Sequence, residues 1–137
     1  MKNNNQYIDV NKLDKIIDGK YSASYMNNTK WNKLIQKLTD QLDQIYVNYK
    51  LIHSDQVKGN MFITPDFEPF FIEPILYKEI EWIEIPKQYE DWKNENNRKA
   101  GKQLYSQNLE LITEVISGLG QYEIETNENS ITLYGYK

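Results

Sequence analysis

The apolar residues of this chain change period between Leu42 and Ile45, and that change restricts the fold more than any motif does. Upstream of it, Trp31, Leu34, Ile35, Leu38 and Leu42 form one stripe of an amphipathic helix that opens at Asn28-Thr29. Downstream the period is two. Ile45, Val47, Tyr49, Leu51 and His53 share one side, and Tyr46, Asn48, Lys50 and Ser54 share the other, which predicts a half-buried strand. The helical period recurs twice more. A short helix is expected from Asp9 to Gly19, with Val10, Leu13, Ile16 and Ile17 on one face, Asp9 or Asn11 as N-cap and Gly19 as the stop. A third helix is expected to carry Leu104, Leu111, Ile112, Val115, Ile116 and Leu119 and to end at Gly118 and Gly120.

Between and after these helices the chain reads as strands and turns. Asp55 to Asn60, with Gly59-Asn60, predicts a turn; Met61 to Thr64 and Pro69 to Glu73 predict short strands around Pro65-Asp66. From Ile75 to Ile85 the alternation of Glu79 and Glu81 with Ile80 and Trp82 flips phase at Ile83, which a strand bulged near Trp82 explains. Leu76, Ile80 and Ile83 would also fit a short helix. Pro86 to Gly101 is polar, with Tyr89 and Trp92 isolated, and predicts a mobile surface loop or a frayed helical lead-in. The tail, Tyr122 to Thr126 and Ile131 to Tyr136 around Asn127-Glu128-Asn129, predicts a closing hairpin. With no strand-helix-strand alternation, the expected class is α+β: a mostly antiparallel sheet of five to six strands with two to three helices on one face. A length of 137 residues suits one such domain, with residues 1–8 expected to be flexible.

Composition excludes several chemistries. Tyr supplies 11 residues of a hydrophobic fraction of 39%, so the aliphatic core is lean and the mean hydropathy is -0.76. No apolar run is long enough for a membrane span, and the N-terminus has no signal-like apolar stretch, which predicts a cytoplasmic protein. The absence of Cys removes thiolate nucleophiles, disulfides and Cys-ligated metals. A net charge of -4 and a pI near 5.1 give no generic attraction to phosphate backbones, and Arg98 is the one arginine available to clamp an anion. A nucleic-acid binder is therefore not expected. Gly118-Leu119-Gly120 lacks the third glycine of a dinucleotide loop and follows a helix, so no cofactor is implied.

Two groups of residues could carry chemistry. His53 is the single histidine; it reads either as a half-buried residue satisfied by a neighbour or, with Asp55 two positions on, as an oriented imidazole. Glu79 and Glu81 would project from one face of a strand, with Glu73 and Glu84 near in sequence, either as a solvated face or as an acid/base pair. A hydrolase or metal-dependent enzyme built on His53, Asp55, Glu79 and Glu81 needs all four in one pocket. A ligand-binding regulatory domain would instead need a cavity lined by aromatics. Charge placement points elsewhere. Nine acids (Asp66, Glu68, Glu73, Glu79, Glu81, Glu84, Glu90, Asp91, Glu95) face three lysines between Asp66 and Glu95, a local net of -6 interleaved with aromatic residues, while the rest of the chain is net +2. Acids that steer a basic partner and rings that supply contact energy make a protein-binding surface. Tyr134 and Tyr136 would share one side of the last strand and form a contact ridge if exposed.

Three stretches, Met26 to Trp31, Pro74 to Glu84 and Leu133 to Tyr136, carry a resemblance to a family of small bacterial proteins. In size, acidity and lack of catalytic residues the chain is similar, from about Ser22 to Lys137, to the immunity proteins of polymorphic and contact-dependent toxin systems. That resemblance implies a non-enzymatic inhibitor of a cognate toxin domain, a basic protein such as a nuclease, without metal or cofactor. The residues expected to meet the partner are Glu79, Glu81, Glu84, Glu90, Asp91 and Trp92, with Tyr134 and Tyr136 as anchors.

Overall fold

The computed structural model describes residues 10–42, 45–62, 77–94 and 96–137. The readings of Asp9 as a cap, of flexibility over residues 1–8 and of strands beyond Phe62 and at Pro69 to Glu73 lie outside them. Helix α1 spans Val10–Lys20 and α2 spans Asn28–Leu42. Asn27 caps α2: its Oδ1 accepts the Lys30 N–H at 2.8 Å and its carbonyl accepts the Trp31 N–H. Strand β1 follows at Ile45–Leu51, then β2 at Val57–Phe62, a single 3-10 turn at Tyr77–Glu79 and β3 at Ile80–Pro86. Strands β4 (Gln88–Trp92) and β5 (Lys102–Ser106) flank a second 3-10 turn, Arg98–Ala100. Helix α3 (Leu109–Leu119) and the hairpin β6 (Ile124–Thr126) and β7 (Ser130–Tyr134) complete the chain.

The class is α+β. Five strands form an antiparallel sheet in the order β2-β1-β3-β7-β6, and β4 and β5 pair as a separate ribbon. Alternation along β1, β3 and β7 sends Ile45, Val47, Ile83, Ile85, Ile131 and Leu133 to one face, where Trp31, Leu34, Ile35 and Leu38 of α2 and Ile112 and Ile116 of α3 cover them. Each such side chain taken out of water contributes about 1.5–3 kcal/mol before conformational entropy is counted. Helix α1 packs instead at one end of the sheet, burying Leu13 against Ile52 and Tyr136. Among the described residues no helix is long and apolar enough to cross a membrane.

The phase flip near Trp82 is a bulge. Lys50 lies opposite Trp82 and Leu51 opposite Ile80, so Glu81 is the extra residue. Its carbonyl accepts both the Gly135 and Tyr136 N–H groups, and Gly135 is required there because a Cβ would stand 2.5 Å from the Ile80 carbonyl oxygen.

Four expectations are corrected. Gly59-Asn60 lies within β2, not in a turn; the chain reverses earlier, over 52–56, and Gly59 is a close-approach glycine whose Cβ would collide with the Tyr46 hydroxyl. His53 is in that reversal and not on β1. Pro86 to Gly101 is not a single loop or helical lead-in: it holds the end of β3, the whole of β4 and a 3-10 turn, and no residue of either ribbon strand is fully buried, which weakens the pattern that marks a half-buried strand. Leu104 accordingly belongs to β5 and is 57% exposed, while α3 starts at Leu109 with Asn108 as its cap, accepting the Leu111 N–H.

Candidate functional site

The face of the sheet opposite α2 and α3 collects the alternate residues: Tyr46, Asn48 and Lys50 from β1, Trp82 and Glu84 from β3, and Thr132 and Tyr134 from β7. Glu125 of β6 pairs across from Thr132 and joins them. All of these except exposed Glu125 are half-buried. The β4–β5 ribbon folds against one end of this face, because the Tyr89 ring stacks on Tyr46 with centroids 4.5 Å apart and planes 5° from parallel. Tyr105, directly across from Tyr89, continues the stack at 5.5 Å.

Gln107, just after β5, holds the ribbon in place. Pro86 has no N–H to offer across from Tyr46, so the β1–β3 ladder cannot continue there. The Gln107 amide substitutes for it. Its Oε1 accepts the Tyr46 N–H at 2.8 Å, and its Nε2 donates to the Tyr46 carbonyl at 3.1 Å and the Pro86 carbonyl at 2.8 Å.

Charges on this surface fall into two groups. At the bulge, Glu81 Oε1 accepts from Lys50 Nζ at 2.7 Å and from the Tyr21 hydroxyl, with Lys20 Nζ at 3.9 Å. Burial pushes the Glu81 carboxyl up, but those hydrogen bonds and cations outweigh it and hold the group below its usual range. Burial and then Glu81 itself raise the Tyr21 hydroxyl. Elsewhere on this surface the situation is reversed. Glu84 receives only the Asn48 amide, at 3.2 Å, and Asp91 Oδ1 accepts the N–H of its neighbour Trp92. Among the described residues neither carboxylate forms an ion pair. Asp91 faces the stack: after burial, its charge is what raises the hydroxyls of both Tyr46 and Tyr89.

The eight residues expected to meet a partner are thus distributed unevenly. Glu84, Asp91 and Tyr134 lie on or against the helix-free face, and Glu81 borders it at the bulge. Glu90, directly across from exposed Leu104, is exposed on the ribbon's other side. Trp92 is half-buried under Arg98 and Lys102, whose charged groups lie 4.6 and 4.8 Å from its ring. Glu79 and Tyr136 are inside the protein, 2% and 8% exposed. Glu79 therefore does not share a strand face with Glu81, and Tyr134 and Tyr136 do not form one ridge: the chain leaves β7 at Gly135, and Tyr136 packs against Tyr21 beneath α1, their rings tilted by 31°. Tyr134 instead bonds Glu125, which raises its hydroxyl and lowers that carboxyl, with Lys137 Nζ 4.5 Å from the ring centre. Of the residues proposed for acid/base work, His53 Nε2 does meet Glu79 at 2.8 Å, but Glu81 is engaged by Lys50 and Tyr21, and Asp55 is exposed without an ion pair among the described residues. No group of three His, Asp or Glu among the described residues is arranged to hold a metal ion.

The model of a family of unknown function, DUF6678, matches residues 13–137. The chain belongs to this family. No curated protein and no solved structure matches it. The DUF6678 match starts at Leu13, the fully buried residue of α1, and so takes in every strand and the whole helix-free face. What sequence reading missed in this DUF6678 chain is the tyrosine stack. Tyr46 was legible as a residue on the polar side of β1, but Tyr89 and Tyr105 gain meaning only once the ribbon folds back on it.

Proposed function

We propose that this DUF6678 protein is a cytoplasmic, non-enzymatic immunity protein that binds a cognate bacterial toxin domain and covers its active site, docking through the helix-free face of the sheet. The observation that carries this reading is the Tyr46–Tyr89–Tyr105 stack with Asp91 facing it and Glu84 on the same sheet face across from Asn48, two carboxylates without an ion pair among the described residues. A carboxylate kept for folding is neutralised, as Glu81 is; one left bare beside rigid rings is available to an incoming cation. Tyrosines supply contact area at little conformational-entropy cost and accept hydrogen bonds at their rims. A toxin that cleaves nucleic acid must carry a positive groove, which is the complementary surface.

Tagged protein recovered from its native host is expected to bring down one basic protein in equimolar amount and to protect cells expressing that protein's toxic domain. Recovery with no stoichiometric partner, or a partner whose toxicity is unchanged by binding, would remove this function from consideration.

A further inference from the structure

Away from the docking face, a cavity of about 570 Å3 lies between the first turn of α2, the Tyr77–Glu79 turn and the Gly135–Tyr136 end of the chain. That volume is within the range of small-molecule sites. Trp31, Tyr77 and Tyr136 contribute its aromatic wall, Trp31 and Tyr77 stacking 6.2 Å apart. Both hydroxyls are engaged elsewhere, Tyr77 donating to Asn32 Oδ1 and Tyr136 to the Lys78 carbonyl.

Trp31 differs. It is 2% exposed, yet its indole Nε1–H makes no hydrogen bond among the described residues. No buried side-chain nitrogen or oxygen among them lacks a partner, so this N–H is not sealed from solvent, and Trp31 is one of the residues lining the cavity. The first turn of the same helix, α2, adds donors. Asn27 takes the Lys30 and Trp31 N–H groups, leaving those of Asn28 and Thr29, both lining residues, unused at the positive end of a 15-residue helix. The Thr29 hydroxyl adds a further donor, and Lys78, tethered by Asp14, is the one charged residue among those lining the cavity.

The Ser24, Asn28 and Thr29 side chains can donate or accept, whereas the indole and backbone N–H groups and the Lys78 ammonium only donate, and that surplus favours an acceptor ligand. We propose that this cavity binds a small organic carboxylate, its charged end on Trp31 Nε1–H and the Asn28 and Thr29 N–H groups and its flat apolar body along Tyr136 and Met26. The site is independent of the docking face and could be occupied with a partner bound.

The probe is 3-phenylpropionate, with 3-phenylpropanamide as the uncharged control, titrated into the full chain while the indole N–H resonances of its three tryptophans are followed by NMR. The Trp31 resonance is expected to move downfield in a saturable way, with Trp82 and Trp92 still, and the amide to bind roughly tenfold more weakly because it brings no charge to the donors. Asn28→Pro removes one donor at a helix position that accepts proline, and is expected to weaken the acid about five- to tenfold without lowering Tm. A Trp31 resonance unmoved at about 10 mM probe, above the roughly millimolar Kd of so small a ligand, overturns the proposal. Equal affinity for acid and amide overturns it too, as does an Asn28→Pro variant that folds and binds unchanged.

Discussion

Glu81 and Glu84 stand three residues apart on β3 and are surrounded in opposite ways. Glu81 sits at the bulge inside a ring of Lys50, Lys20 and Tyr21, four-fifths removed from solvent. Glu84 stands across from Asn48 with that residue's amide for company, and among the described residues neither it nor Asp91, which faces the tyrosine stack, has a cation. The difference separates two settings of one functional group. At Glu81 the charge ties α1 and the connector after it to the sheet; at Glu84 and Asp91 no cation among the described residues answers the charge.

That contrast can be broken first through stability. Glu81→Ala strands the Lys50 ammonium, 14% exposed, and the Tyr21 hydroxyl, and is expected to lower unfolding free energy in urea by about 2–3 kcal/mol. Glu84→Ala is expected to cost no more than about 0.5 kcal/mol, as does Asp91→Ala. A loss at Glu84 as large as at Glu81 would erase the distinction.

Acid titration sharpens it. Because the Glu81 carboxyl is lowered by folding, its contribution is present above the unfolded value, about 4.3, and is lost as pH falls through the folded one. The stability gap between wild type and Glu81→Gln is therefore expected to be full at pH 7 and to close below about pH 4. A gap that persists undiminished at lower pH would mean that the charge is not what Glu81 contributes.

A smaller effect tests how the ribbon is seated on the helix-free face. Gln107→Ala leaves the Tyr46 N–H and carbonyl and the Pro86 carbonyl without their partner, an expected loss of about 1–2 kcal/mol together with faster amide exchange across β4 and β5. Unchanged exchange would show that the tyrosine stack alone seats the ribbon.

Much of this architecture was legible because it obeys one period at a time. The stripe Trp31 to Leu42, the apolar face of α3, the alternation of β1 and the hairpin around Asn127 each bury one side, and even the bulge announced itself as a slipped phase at Ile83. What escaped has no buried side to announce it. No residue of β4 or β5 is fully buried, and the ribbon is held by ring stacking and by Arg98 and Lys102 over Trp92, contacts between residues 6 to 43 positions apart. Gly59 was misread because close approach and turning use the same residue. The acidic excess from Asp66 to Glu95 takes in Glu84 and Asp91 but could not say which acids the fold would neutralise. That depends on Lys20, Tyr21 and Lys50, brought to Glu81 from elements 31 to 61 residues away.

The most direct test of the account is the association rate constant of the purified partner domain with three charge-reversal variants, measured against salt. Glu84→Lys and Asp91→Lys are expected each to slow association by roughly tenfold and to flatten its salt dependence, while Glu90→Lys, on the ribbon's far side, leaves the rate within about twofold of wild type. Equal slowing by all three would reduce the effect to overall charge, and no slowing by Glu84→Lys and Asp91→Lys would contradict the claim that this face receives the partner.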